Sequence, residues 1–328
     1  MAGVGLVGRS SIHRGILERL AKFACSDAEI LITGPTGVGK ELYARYVHRQ
    51  SPRAKSDFVP VNCGAIPDSL LENELFGHVG GAFTGALPQS QGLAMSAEGG
   101  TLFLDEIDSL TLPGQVKLLR FIQEKEYRRL GESRTRKANV RFIAATNVDL
   151  VSAVHAGRFR EDLFFRLRVI PIEVPALWKR PEDIRPIFEE YMRHYGELYS
   201  LPLAALSDGA WERVQSYSWP GNVRELENCV QYLTCLQLDH LVQADELPLL
   251  STEEEEGTTP VTPEHASASF QESKRELVNL FEREYLEDAL RKSKGNIAEA
   301  ARASGKARRA FFELMRKHGV KAVSPNNS

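Results

Sequence analysis

Short apolar runs and longer amphipathic stretches take turns along the first half of the chain. The runs read EILIT (residues 29–33), FVPVN (58–62), TLFL (101–104), VRFIAAT (140–146) and VIPIEV (169–174), most of them bounded by Gly, Asn or Asp. Runs this short, with little alternation of polar positions, have the pattern of strands buried on both faces. Between them lie stretches such as 109–127, where Leu112, Val116, Leu119 and Ile122 recur at helical spacing. Strands alternating with helices predict an α/β fold over residues 1–175, a parallel sheet with helices on both faces. From 176 to 248 the pattern is helical throughout, with helices predicted over 181–195, 207–216 and 222–235 and a short piece over 244–247. Residues 249–271 are rich in Ser, Thr, Pro and Glu and poor in large apolar side chains. Such a stretch cannot bury enough surface to offset its ordering entropy, which predicts a flexible linker. Helical periodicity returns over 272–328, where Leu277, Phe281, Tyr285 and Ala289 stand four apart. Breaks at Gly295 and at Ser304 and Gly305 predict two shorter helices after it.

Composition narrows the class without deciding it. Apolar residues make up 42% and charged residues 26% of the 328, ordinary values for a globular chain. No run approaches the roughly 18 apolar residues of a membrane helix. The start, MAGVGLVGRS, lacks the basic-then-apolar pattern of a secretory signal. The four cysteines, Cys25, Cys63, Cys229 and Cys235, form no CxxC pair. The expectation is a cytoplasmic protein in a reducing compartment, with no disulfide framework and no cysteine metal site. A net charge of −3 hides an asymmetry. Between residues 302 and 321, seven basic side chains face a single acid, Glu313.

The candidate chemistry begins with GPTGVGKE: Gly34, Pro35, Thr36, Gly37, Val38, Gly39, Lys40 and Glu41. It follows a predicted strand and precedes a predicted helix, the context of a phosphate-binding loop. Glycines let backbone N–H groups converge on phosphate oxygens, the helix N-terminus favours the anion, and Lys40 can reach the β- and γ-phosphates. Glu41 stands where the general pattern has a Ser or Thr hydroxyl for Mg2+, so another group must hold the metal. GGTLFLDEID (99–108) supplies one. Asp105 falls at the carboxyl end of a strand, where open α/β sheets bind ligands, and Glu106 follows it. A carboxylate on Mg2+ and a second one polarising water are what phosphoryl transfer to water requires. Taken alone, an acidic pair after an apolar run is an ordinary solvated strand end. Paired with the loop, it predicts hydrolysis of a nucleoside triphosphate.

The stretch ELFGHVGGAFTGA (74–86) closely resembles the signature of the sigma-54-dependent transcription activators, bacterial enhancer-binding proteins of the AAA+ class (the NtrC class). Its hexapeptide is intact: Gly81, Ala82, Phe83, Thr84, Gly85 and Ala86. The glycines let such a loop project and change shape at low steric cost. The resemblance implies that this loop contacts sigma-54 and moves with the nucleotide. Members more often carry a charged pair before it, where this chain has His78, Val79 and Gly80. By resemblance, Asn62 is the polar switch that holds the catalytic Glu, and Asn147 senses the γ-phosphate. Arg160 and Arg166, in FREDLFFRL (159–167), are the arginine fingers that reach a neighbouring subunit's nucleotide. Arg224, in WPGNVRELEN (219–228), is a second sensor, with Asn222 a fair N-cap for its helix. GLVGRS (5–10) resembles the family's opening near the adenine pocket, and Glu41 is usual in the family.

GNIAEAARASGKARRAFFELMRKHGV (295–320) is similar to the Fis-like helix-turn-helix that ends these activators. The basic excess suits a phosphate backbone, and Lys306, Arg308, Arg309 and Arg316 are the candidate contacts to double-stranded DNA. The implied protein binds an upstream site as dimers and assembles into a homo-oligomeric ring, a hexamer. With ATP and Mg2+ it remodels the sigma-54 RNA polymerase closed complex to the open one. An ATP-gated DNA-binding regulator that never touches sigma-54, and a general AAA+ unfoldase or replication ATPase, are the alternatives. With the ATPase pattern starting a few residues in, the expectation is a member without a receiver domain, regulated in trans by a partner or by abundance, or else a truncated chain.

Overall fold

The structure, a computed structural model, describes residues 5–80, 90–238 and 240–249, and beyond them Leu290, Ser293, Ala300 and Met315. The expectations placed on Gly81 to Ala86, on the linker and on Lys306, Arg308, Arg309 and Arg316 lie outside the described residues. The chain divides into two compact units, 1–250 and 251–328.

The first unit runs α1 (Ser11–Ala24), β1 (Ile30–Thr33), α2 (Lys40–Arg49), β2 (Phe58–Asn62), α3 (Asp68–Phe76), α4 (Leu93–Ser96) and β3 (Thr101–Asp105). It continues with α5 (Leu112–Glu124), β4 (Glu126–Tyr127), β5 (Arg136–Lys137), β6 (Arg141–Thr146), α6 (Leu150–His155), α7 (Glu161–Leu167) and β7 (Ile170–Glu173). Then come α8 (Ile184–Tyr199), α9 (Asp208–Ser216) and α10 (Asn222–Leu236). Five strands make one parallel sheet in the order β2-β3-β6-β1-β7. All five coincide with the predicted apolar runs to within about a residue at each end. β6 is buried along its whole length and β1 is buried at Ile30, Leu31 and Ile32, so the inner strands carry apolar residues on both faces.

The sheet separates two cores. One packs α3, α5 and α7 against one face through Leu71, Leu118, Ile122 and Leu163. The other packs α1 and α2 against the opposite face through Ile16, Leu20, Tyr43 and Val47. Arg141 opens β6 fully buried, and its guanidinium donates to the Ala24 and Phe23 carbonyls at 2.8 and 3.1 Å. Both carbonyls lie in the last turn of α1, and that of Phe23 also accepts from the Ser26 amide at 3.2 Å and from Ser26 Oγ at 3.0 Å. A third core, built on Phe188, Val214, Trp219, Leu226 and Val230, holds α8, α9 and α10 together.

Four local readings change, one being that the helix predicted over 181–195 runs Ile184–Tyr199 after a 3-10 turn at Pro181–Asp183. The predicted helix 109–127 is shorter, because the Thr111 side chain caps its start and Lys125 leaves it in the left-handed region at φ 52°. Its buried face is Gln115, Leu118, Leu119, Phe121 and Ile122, while Leu112 is 45% exposed at the first turn. Residues 126–137 form a two-stranded antiparallel pair, β4 with β5, that the apolar pattern did not signal. Asn222 is not a cap: Gly221 precedes the helix, and Asn222 is its first residue, at φ 54°.

Candidate active site

The carboxyl ends of β1, β3 and β6 stand side by side, because β6 pairs with both β1 and β3. The phosphate-loop sequence leaves β1 at Gly34 and enters α2 at Lys40. Gly37 and Gly39 take φ 79° and 91°, a region that favours glycine. A Cβ on Gly37 would also collide with the Gly221 carbonyl. No side chain caps α2; the Leu42 amide turns back to the Gly39 carbonyl at 2.9 Å, and the Lys40 and Glu41 amides are left for a ligand. Lys40 Nζ donates to the Gly34 and Pro35 carbonyls at 2.9 and 3.2 Å. Burial pulls the Lys40 ammonium below its ordinary pKa, with Asp105, Asp108 and Glu106 pulling the other way. The Glu41 carboxylate pairs with Arg45 one turn along α2.

Asp105 ends β3, and its Oδ1 accepts from the Glu106 amide at 2.9 Å. Burial raises the Asp105 carboxyl above its ordinary value, opposed by that hydrogen bond and by Lys40. Glu106 occupies the left-handed region at φ 52°, a strained conformation for a residue with a side chain. Its carboxylate lies over Gly64, where a Cβ would come within 2.7 Å of Oε2. The Asn62 carboxamide accepts from the Gly64 and Ala65 amides at 2.8 and 3.1 Å. It thus shapes the turn beneath Glu106 and makes no hydrogen bond to the carboxylate. Asn147, one residue past β6, donates from Nδ2 to Thr36 Oγ1 at 2.9 Å.

The loop, Asp105, Glu106 and Asn147 border one cavity of about 350 Å3, and Asn62 is not part of its lining. Its wall includes Thr36, Gly37, Gly39, Lys40, Glu41, Asp105, Glu106, Asn147 and, from the helical subdomain, Arg224. Backbone amides, a lysine, an arginine and the carboxylates of Asp105 and Glu106, with Glu41 held by Arg45, surround one space that can bind a polyphosphate and activate water beside it.

The sequence as a whole decides the family. Residues 6–173 match the sigma-54 interaction domain, 178–264 the AAA+ ATPase lid domain and 278–317 the bacterial regulatory protein Fis family. Similar proteins include the transcriptional regulatory protein GlrR of Escherichia coli K12, 42% identical over 97% of this chain and 68% of that protein. The chain belongs to the sigma-54-dependent transcriptional activators. Another relative, the sigma54-dependent transcriptional activator SfnR of Pseudomonas putida, is 44% identical over 90% of this chain and 83% of its own length. Among solved structures, Brucella abortus NtrX in complex with ADP matches with a TM-score of 0.72 at 34% identity, over 97% of this chain and 70% of that one. NtrX in complex with ATP matches at 0.71 and 34%, over 96% and 69%. The chain is an AAA+ ATPase carrying a Fis-type DNA-binding domain.

The activator's other anticipated residues divide. Gly34 and Pro35 border a second cavity, beyond the loop, and Val38 is buried beneath it. Arg160 and Arg166 do not line the cavity of their own chain. Arg160 pairs with Asp162 at 2.7 Å, and Arg166 pairs with Glu29 at 3.1 Å. Tyr191, His194 and Glu227 do line the cavity, and the sequence reading missed them. Their signal is spacing: 191 and 194 share a face of α8, as 223 and 227 do on α10. The Asn222 side chain accepts from the Leu177 amide at 2.8 Å and donates to the Thr36 carbonyl at 2.9 Å, tying the lid to the phosphate loop.

Proposed function

We propose that this activator binds ATP with Mg2+, assembles from dimers into a hexameric ring, and spends hydrolysis on opening sigma-54 RNA polymerase at promoters downstream of its DNA site. The reading rests chiefly on the single cavity that gathers Lys40, Asp105, Glu106, Asn147 and Arg224 around the phosphate loop. Lys40 leaves the Gly34 and Pro35 carbonyls and turns to the β- and γ-phosphates. Glu106 orients the attacking water and accepts its proton. Asn147 and Arg224 contact the phosphates.

The donor set suits Mg2+, which takes one or two carboxylates together with phosphate oxygens. Asp105 is half-buried beside the loop, and among the described contacts only one of its oxygens is taken. It would hold the ion, which when bound neutralises charge on the phosphates. The placement of Arg160 and Arg166 away from their own cavity supports a role at a neighbour's, and hence a ring.

Gly81 to Ala86 carry the contact with sigma-54, Phe83 and Thr84 foremost, and Lys306, Arg308, Arg309 and Arg316 hold DNA. The test is capture of sigma-54 on a native gel in the presence of ADP and aluminium fluoride, with Thr84→Ala alongside. A nucleotide-dependent complex, lost in Thr84→Ala while ATP hydrolysis continues, is expected. A working ATPase that forms no complex would instead make the protein an ATP-gated DNA-binding regulator.

A further inference from the structure

The carbonyls of the phosphate loop are engaged one after another. Those of Gly34 and Pro35 accept from Lys40, within the loop's own segment. The next three are held from outside it. The Thr36 carbonyl accepts from Asn222 Nδ2 at 2.9 Å, that of Gly37 from the Arg224 amide at 3.2 Å, and that of Val38 from Arg180 Nη2 at 3.3 Å. Within a trans peptide unit the C=O and the following N–H point in opposite directions. Fixing these carbonyls therefore fixes the N–H groups of Gly37, Val38 and Gly39. Among the described residues, those three amides donate to no carbonyl. They remain for an anion.

The two side-chain donors are built in firmly. Asn222 is 2% exposed, and its oxygen is spent on the Leu177 amide. Its positive φ is one that asparagine tolerates better than most residues. Arg180 is also 2% exposed; it donates to Tyr43 Oη at 3.1 Å and faces the Asp183 carboxylate at 3.8 Å. That carboxylate in turn accepts from the Arg9 and Ser10 amides at 2.6 and 2.7 Å and from Ser10 Oγ at 2.8 Å. Burying a guanidinium and a carboxamide is costly unless each is bonded. Here Asn222 Nδ2 and Arg180 Nη2 are bonded to the same short loop, while Arg180 Nε has no hydrogen-bond partner among the described residues.

We infer that Asn222 and Arg180 are positioning residues for the nucleotide. They aim the loop amides at the phosphates. The inference rests on ATP occupying this cavity. It is tested in the full chain with Asn222→Asp, Asn222→Gly and Arg180→Lys. Asn222→Asp keeps the acceptor for Leu177 but cannot donate to Thr36. Asn222→Gly removes the donor without adding charge and tolerates the positive φ. Arg180→Lys keeps the charge beside Asp183 and loses the fork.

The readouts are binding of a fluorescent ATP analogue, steady-state hydrolysis and thermal unfolding without nucleotide. The expected result is a rise of about tenfold in Kd and KM for ATP, the effect of one well-made hydrogen bond. kcat at saturation stays within about twofold, and a folded transition is retained. Unchanged KM in Asn222→Gly and Arg180→Lys would overturn the inference, as would loss of kcat at constant KM. Should Asn222→Gly lose its folded transition, Arg180→Lys decides. Lys40→Ala separates the two levels. If the unaltered chain binds no ATP, the site reading itself fails. If it binds ATP and Lys40→Ala does not, while the Asn222 and Arg180 variants match the unaltered chain, only the positioning role fails.

Discussion

Asp105 shows how a site can work against the stability of the chain that carries it. Burial holds its carboxyl above the ordinary 3.8, so the folded chain keeps that proton more readily than the unfolded chain. The stability this group contributes is therefore greatest at low pH and is lost as pH rises through the folded value. Asp105→Asn removes the cost of ionising the group. Thermal unfolding without nucleotide, measured from pH 4 to pH 8, should show Asp105→Asn gaining on the unaltered chain as pH rises, with its metal-dependent ATPase lost. A gap that is constant across that range would show that no raised carboxyl is being titrated. Asp105, like Lys40 and Glu106, was legible in the sequence because its chemistry needs a particular residue at the end of a strand. The strain at Glu106 and the bonds of Asn222 were not. A left-handed φ and a long-range side-chain bond depend on which segments the fold brings together, and nothing in local spacing records that.

At the scale of elements, the strands were read well because a parallel strand buried on both faces leaves an apolar run in the sequence. Helix α5 was read less well. A count of apolar positions chose Leu112 and Val116 and passed over Gln115, which is fully buried. Gln115 Nε2 donates to the Leu110 and Arg158 carbonyls at 2.8 and 3.1 Å, and its Oε1 accepts from the Arg160 amide at 2.8 Å. The side chain thus fastens α5 to the turn that begins α7 and sets the backbone of Arg160. Gln115→Leu keeps most of the volume but leaves those three backbone groups without partners, at a cost of roughly 1–3 kcal/mol. Urea unfolding should show that loss. ATP binding should persist while hydrolysis falls, because the cavity is untouched and Arg160 is loosened. Equal stability, or hydrolysis at the level of the unaltered chain, would mean that the turn holds without Gln115. The β4–β5 pair escaped notice for a related reason: two residues per strand are too few to leave a period.

For the whole molecule, the question is where a nucleotide site ends. One chain brings Lys40, Asp105, Glu106, Asn147 and Arg224 to a single cavity, while Arg160 and Arg166 lie on α7 and at its start, paired with Asp162 and Glu29. If they complete the site of a neighbour, Lys40 and Arg160 of one working site belong to different chains. Two inactive variants can then rescue each other. Lys40→Ala cannot use its own cavity but still offers Arg160 to the chain beside it. Arg160→Ala keeps its cavity and needs an arginine from its neighbour. In a closed ring of random composition, about a quarter of the interfaces join an intact cavity to an intact arginine. Mixing the two variants in equal amounts should therefore restore roughly that share of the ATPase rate of the unaltered chain, with neither variant active alone. Both variants should still enter mixed oligomers, which native mass spectrometry can verify. Recovery requires that the arginine act across an interface. If mixed oligomers form and hydrolysis stays at the level of the separate variants, Arg160 serves its own chain or none. The ion pair with Asp162 would then be its whole role, and the case for an obligatory ring would have to rest elsewhere.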